Sequence, residues 1–223
     1  MEELAPGVWH PRGRPNWIIN VYLAGDVLID AATKYSAGLI LGQLDGRELS
    51  ELALTHVHPD HQGSAKEICE ERSIPLACHE DDVDAMEGRR PTQEASPRHP
   101  ANIIARRLFQ GPPRKVDRVL REGDEVAGFK VIHAPGHARG QVIYFRESDR
   151  VAISGDIINN MHTLTGVPGL HEPPKVYTYD PEENRRSARK LAALKPSLIC
   201  PGHGKPIRDM DKFQRFVEKL PDP

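Results

Sequence analysis

The chain has 223 residues, 38% hydrophobic and 28% charged, with a formal net charge of -2. This is enough apolar material for one sizeable core and excludes a disordered chain, while the near-neutral balance argues against a dedicated nucleic-acid or membrane-surface binder. No run approaches the roughly 18 apolar residues of a membrane span. Three cysteines (Cys69, Cys78, Cys200) make no disulfide framework, and no leader-like segment opens the chain, so a cytoplasmic setting is expected.

In chain order, Trp17 to Leu23 (WIINVYL) and Val27 to Asp30 (VLID) flank Ala24-Gly25-Asp26 and predict a hairpin. Ser36 to Leu44 predicts a helix capped by Ser36, and Glu51 to Thr55 a strand. A helix over Gln62 to Glu71, a strand over Pro75 to Cys78 and a short acidic helix over Glu80 to Glu87 follow. Residues 88–115 carry five prolines (Pro91, Pro97, Pro100, Pro112, Pro113) around one helical patch, Asn102 to Phe109. They read as a lid or surface excursion within a single domain spanning 1–223. Strands resume at Arg118 to Leu120, Glu125 to His133, Val142 to Phe145 and Val151 to Ser154. Asn159 to Lys175 reads as a loop, Pro181 to Leu194 as a helix, Leu198 to Cys200 as a strand and Asp209 to Leu220 as a last helix. This order suits an α+β fold of two mixed sheets with outer helices, although periodicity alone leaves other α+β layers open.

The decisive segment is Thr55 to Gly63, T-H-V-H-P-D-H-Q-G. In extended chain, residues two apart face the same way, so His56 and His58 can point at one metal. Asp60 and His61, where the chain turns into a helix, can address a neighbouring one. Packing does not explain such a run, because it would bury several polar groups without compensation. Three later segments each run from an apolar strand into a potential ligand beside glycine: VIHAPGHARG with His137, VAISGDI with Asp156 and LICPGHGKP with His203. Gly136, Gly155, Gly202 and Gly204 let the chain turn at these strand ends. Imidazole and carboxylate donors suit zinc, iron or manganese.

With these motifs in this order, the sequence resembles the metallo-β-lactamase-fold superfamily from the Trp17–Asp30 hairpin to the final PGHG. The resemblance implies an αββα sandwich with the site at one edge of the packed sheets. Carried over by position, it implies that His56, His58 and His137 hold a first metal and Asp60, His61 and His203 a second, with Asp156 bridging. Asp156 is similar to the bridging acid of glyoxalase II-like thioesterases and lactonases, a pattern that true β-lactamases of the fold generally lack. Flavodiiron relatives carry a carboxylate where His58 stands. The final motif here is GHGK rather than the GHEY of standard glyoxalase II, which argues against glutathione thioesters.

The expected activity is therefore metal-dependent hydrolysis of a small ester, thioester or lactone by a hydroxide held between two divalent cations. Zinc is the first choice, with iron or manganese as alternatives, and Asp60 orients the hydroxide or moves its proton. A mononuclear-iron persulfide dioxygenase using His56, His137 and Asp156 is one alternative. A phosphodiesterase or nuclease using the basic cluster Arg106, Arg107, Arg114, Lys115, Arg118 and Arg121 is another. Candidate substrate contacts are Arg139, Asn160, His162, His171, Tyr177 and Tyr179. The expected partner is a small molecule, without nucleic acid or membrane, and a homodimer stays open.

Overall fold

A computed structural model describes residues 1–13, 15–44, 46–95 and 98–222. Pro97 of the proline-rich excursion lies outside them. Among the described residues one mixed sheet runs in the order β1 (Glu2–Ala5), β2 (Val8–His10), β3 (Tyr22–Ala24), β4 (Val27–Ile29), β5 (Glu51–Ala53), β6 (Leu76–His79) and β7 (Arg118–Leu120). Its first four strands form an antiparallel meander, and β4 to β7 are parallel. The second sheet holds β8 (Glu125–Val126), β9 (Phe129–His133), β10 (Val142–Arg146), β11 (Val151–Gly155) and a late strand, Leu198–Pro201. The late strand lies parallel to β11; the other pairings are antiparallel. A separate hairpin pairs β12 (Asn159–Met161) with β13 (Pro168–His171), which makes Leu198–Pro201 β14.

Helices cover both outer faces, because each strand alternates apolar residues between two buried sides. Leu23, Leu28, Leu52 and Leu76 face outward under α1 (Ala37–Gln43) and α3 (Ala65–Arg72), with the four-residue helix α2 (Pro59–Gln62) between them in the chain. Tyr22, Val27, Ile29 and Ala53 face inward and meet Val131, Val142, Tyr144 and Ile153 of the second sheet. The opposite face of that sheet, including Ile132, Ile143 and Ile199, is covered by two late helices, Pro181–Ala193 and Met210–Glu218. The chain thus forms an αββα sandwich. Two further helices, α4 (Val83–Met86) and α5 (Pro100–Phe109), precede these two, which are therefore α6 and α7.

Two expectations need correction. Trp17 to Ile19 form a turn rather than strand, with Trp17 at φ 68°. The turn exists because this segment wraps the last site loop: Asn20 N–H donates to the Gly202 carbonyl and Gly204 N–H to the Trp17 carbonyl. The segment 159–175, read as a loop, contains the β12–β13 hairpin. The N-terminal strands β1 and β2 had no counterpart in the sequence reading. The proline-rich excursion packs against the body of the fold. Lys34 N–H donates to the Phe109 carbonyl, and the Asn102 amide donates to the Val176 carbonyl.

Phe213 of α7 is fully buried against the second sheet. Phe213→Ala should lower the unfolding free energy by about 3–5 kcal/mol, read from a shift in denaturation midpoint.

Candidate metal centre

The four segments of interest leave strands at one edge of the sandwich. β9 and β11 are both antiparallel to β10 and so run the same way, and β14 is parallel to β11. Their C-terminal ends therefore fall on one side and deliver His137, Asp156 and His203 there. From the other sheet, β5 delivers Thr55 to His61. His58 is extended (φ -78°, ψ 159°) and Pro59 begins α2, so the chain passes from strand-like to helical geometry within the motif. His56 and His58 leave from the extended part and Asp60 and His61 from the helical turn.

The seven residues converge. Donor atoms of His56, His58 and His137 lie within 4.8 Å of one another, as do those of His56, His61 and Asp156, and of Asp60, His61 and His203. Asp156 faces three imidazoles: His203 Nε2 at 3.0 Å, His137 Nε2 at 3.5 Å and His61 Nε2 at 3.6 Å. His203 Nε2 also lies 3.3 Å from Asp60 Oδ2.

Neighbouring groups fix the tautomers. His61 Nδ1–H donates to Asp30 Oδ2 at 2.9 Å. Asp30 also accepts the Thr55 amide at 2.7 Å and the Thr55 hydroxyl at 2.8 Å. With its proton committed to Asp30, Thr55 Oγ1 accepts from His56 Nδ1 at 3.1 Å. His137 Nδ1 is 3.3 Å from Thr178 Oγ1, whose proton goes to the Pro174 carbonyl. His203 Nδ1 donates to the Ile18 carbonyl. Each of these four rings therefore has Nδ1 engaged by the protein and turns Nε2 to the centre, the nitrogen that would bind a cation once it carries no proton. Ser154 takes no part in this, its hydroxyl approaching the Gly155 carbonyl.

Burial pushes His56 and His58 well below the ordinary imidazole range and His137 down to about 4, so this trio is neutral. The other half behaves oppositely. Burial favours neutral Asp60 and Asp156, but His203 and His61 outweigh it and hold both carboxyls low. Burial likewise opposes charge on His61 and His203. Asp30 and Asp156 nonetheless hold His61 up at about 9, and Asp156 and Asp60 raise His203 further. Protons thus sit where positive charge is wanted.

The residues fit divalent cations. Nε2 of His56, His61 and His137 and Oδ1 of Asp156 are buried without hydrogen-bond partners, although such atoms are costly to leave unpaired. All four face the same volume. At Gly202 a Cβ would stand 2.0 Å from Asp156 Oδ1, so only glycine admits that carboxylate.

One buried acid ties two of the segments together. Asp82 Oδ2 accepts the Val57 amide at 3.0 Å, between His56 and His58, and Oδ1 accepts the Gly140 amide at 2.9 Å, three residues after His137. A Cβ on Gly140 would come within 2.6 Å of Asp82 Cγ. Burial pushes the Asp82 carboxyl up to about 6 against these two donors.

A cavity of about 280 Å³ opens over the centre. His58, Asp60, His137, Asp156 and His203 meet apolar walls from Ile18, Ile19, Ala105, Phe109, Leu164 and Pro174. Of the sequence-proposed substrate contacts, Tyr177 lines it. Arg139 stacks on Tyr179 at 4.2 Å, pairs with Glu94 and lines a separate depression. Asn160 braces the His203 loop by donating to the Lys205 carbonyl. His162 and His171 pack edge to face 5.3 Å apart on the hairpin, outside the lining. Sequence reasoning missed Asp30, Asp82, Thr178 and the apolar walls. Asp30 had a signal, an acid ending an apolar strand; the others had none.

Asp30→Ala should weaken cation binding by about 10- to 100-fold in chelator competition. Asp82→Ala, acting through backbone, should cost less, with far-ultraviolet circular dichroism confirming that both variants fold.

The sequence profile of the metallo-beta-lactamase superfamily matches residues 14–203. The probable metallo-hydrolase YflN of Bacillus subtilis is 30% identical over 200 residues, 81% of this chain and 76% of that protein. The hydroxyacylglutathione hydrolase of Fuscovulum blasticum is 34% identical over 163 residues, 71% of this chain but 49% of that enzyme. Among solved structures, the metallo-beta-lactamase family protein TTHA1429 of Thermus thermophilus superposes with a TM-score of 0.69 at 26% identity, covering 98% of this chain and 79% of that one.

Proposed function

The chain belongs to the metallo-β-lactamase superfamily and is a metallo-hydrolase, and from that premise we propose that it uses two cations to hydrolyse a small ester, thioester or lactone. The observation that carries the proposal is the convergence of two donor triads around Asp156, with buried ring nitrogens of His56, His61 and His137 left without hydrogen-bond partners beside it. The second triad, Asp60, His61 and His203, supports two cations over the single-iron alternative.

Bound cations, zinc first with iron or manganese also suited, would bring a water's pKa near neutrality and polarise a substrate carbonyl. The chain's own residues do the rest. Asp60 is the more open of the two acids, its side chain 27% exposed against 6% for Asp156. It is placed to orient the attacking water by accepting its hydrogen bond. Burial, reinforced by Asp60, raises the Tyr177 phenol, which stays protonated as a donor for the substrate oxygen. No thiolate competes for the nucleophile's role: burial pushes Cys69 and Cys200 up to about 12 and raises Cys78 as well.

A polyanionic substrate is disfavoured. Arg114, Arg118 and Arg121 of the basic cluster pair with Asp117, Glu51 and Glu80. The relatives' names, metallo-hydrolase and hydroxyacylglutathione hydrolase, support the acyl class.

Purified protein should carry about two cations per chain and turn over an aryl acetate or an acyl lactone. Asp156→Ala should lower kcat/KM on the order of 10³-fold, several kcal/mol of lost charge stabilisation. Tyr177→Phe should lower kcat about 10- to 100-fold with metal content unchanged. Metal-replete protein inert toward all three substrate classes, or Asp156→Ala with full activity, ends the proposal.

A further inference from the structure

The cavity over the metal centre has an apolar neighbour. A groove of about 460 Å³ lies beside it, and Ile18, Ile19 and Phe109 line both. Beyond this threshold the groove is walled by Val21 and by Leu39 and Ile40 of α1. Arg12 and Tyr35 also line it, while three other polar side chains of the groove are engaged with protein. The Gln43 amide donates to the Arg12 carbonyl at 3.0 Å and accepts the Arg12 N–H at 2.7 Å. Thr33 Oγ1 and Ser36 Oγ bond each other at 3.0 Å. Ile18, Tyr35 and Phe109 nevertheless remain exposed, so apolar surface continuous with the site is left uncovered. No Lys or Arg among the described residues lines the cavity over the candidate metal centre.

We propose that this groove is a distal subsite for the uncharged alkyl chain of a medium- to long-chain acyl substrate, its carbonyl at the metal centre and its tail crossing Ile18, Ile19 and Phe109. The proposal rests on the hydrolase reading for the carbonyl end only. The occupant follows from continuity: a chain attached at the reacting carbonyl meets this apolar surface as it leaves the first cavity. Ile18 has two tasks, since its carbonyl holds His203 Nδ1 while its side chain lines the passage. The excursion 88–115 supplies the opposite wall through Phe109, whose carbonyl is tied to the Lys34 amide.

The test uses the metal-replete enzyme and a series of p-nitrophenyl esters from acetyl to decanoyl. Each methylene buried in the groove should raise kcat/KM about fourfold, and the rise should continue past butanoyl. Leu39, half-buried on α1, gives two variants: Leu39→Trp fills the groove and Leu39→Glu charges it. Both should collapse the decanoyl-to-acetyl ratio of kcat/KM by at least about tenfold. A flat profile beyond butanoyl, or a ratio untouched by both variants, overturns the proposal. A second readout needs no turnover. An uncharged fluorescent probe, N-decyl dansylamide, should bind the chelated protein and lose at least about tenfold in affinity in Leu39→Trp. If no ester is hydrolysed, the ester form of the hydrolase reading fails. Probe binding then decides the groove alone: weaker binding in Leu39→Trp upholds it, and unchanged or absent binding overturns it.

Discussion

Asp156 is a carboxylate buried at 6% side-chain exposure with imidazole nitrogens of His61, His137 and His203 around it, and the rest of the rim is organised by that fact. An ionised acid so deeply placed needs positive charge nearby. The neighbouring carboxylates favour charge on His61 and His203, which meets part of that demand, and a bound cation would meet more of it. The same constraint accounts for Gly202, whose missing side chain is the space Asp156 occupies. It also accounts for Asp30, which takes the far proton of His61 and so determines which nitrogen faces inward.

The fold converts this local demand into fixed geometry. Three of the ligand segments leave parallel strand ends of one sheet, and the fourth leaves the other sheet, so the centre forms only when the two sheets are packed together. Two buried acids then link segments distant in sequence. Asp30, at the end of β4, holds Thr55 and His61; Asp82 holds the backbone on either side, at Val57 and Gly140. Such hydrogen bonds bury charge on acceptors whose partners are fixed by strands, which restricts the ligands to one arrangement.

Most of the architecture was legible because burial on two faces leaves a direct mark. The strands from Glu125 to Ser154 and the last two helices were readable from runs of branched apolar residues and from amphipathic spacing. The failures share a cause. Trp17 to Ile19 are as apolar as a strand, yet they turn, because they serve a cavity wall and the His203 loop instead of a ladder. The candidate donors stood out in H-x-H-x-D-H and the three glycine-flanked segments, whose chemistry has no packing explanation, and the fold brings their side chains together. Arg139 illustrates the limit in the other direction. It stands two residues from His137, but Tyr179 and Glu94 draw it to a different surface. Sequence proximity to a ligand says nothing about which way a side chain leaves a turn.

The apolar walls and the polar centre belong to one physical design. Ile18, Ile19, Phe109 and Leu164 reduce the water available to the donor set, and electrostatic interactions strengthen as solvent is excluded. A centre that is to activate water, as proposed, must still admit it, and the partly open Asp60 is where solvent reaches the donor set. The same walls select what enters. An uncharged group gains by covering them, while an anionic one loses hydration and finds no Lys or Arg among the described residues that line the cavity. Reactivity and selectivity therefore arise from the same side chains, and a substitution that wets the wall should erode both together.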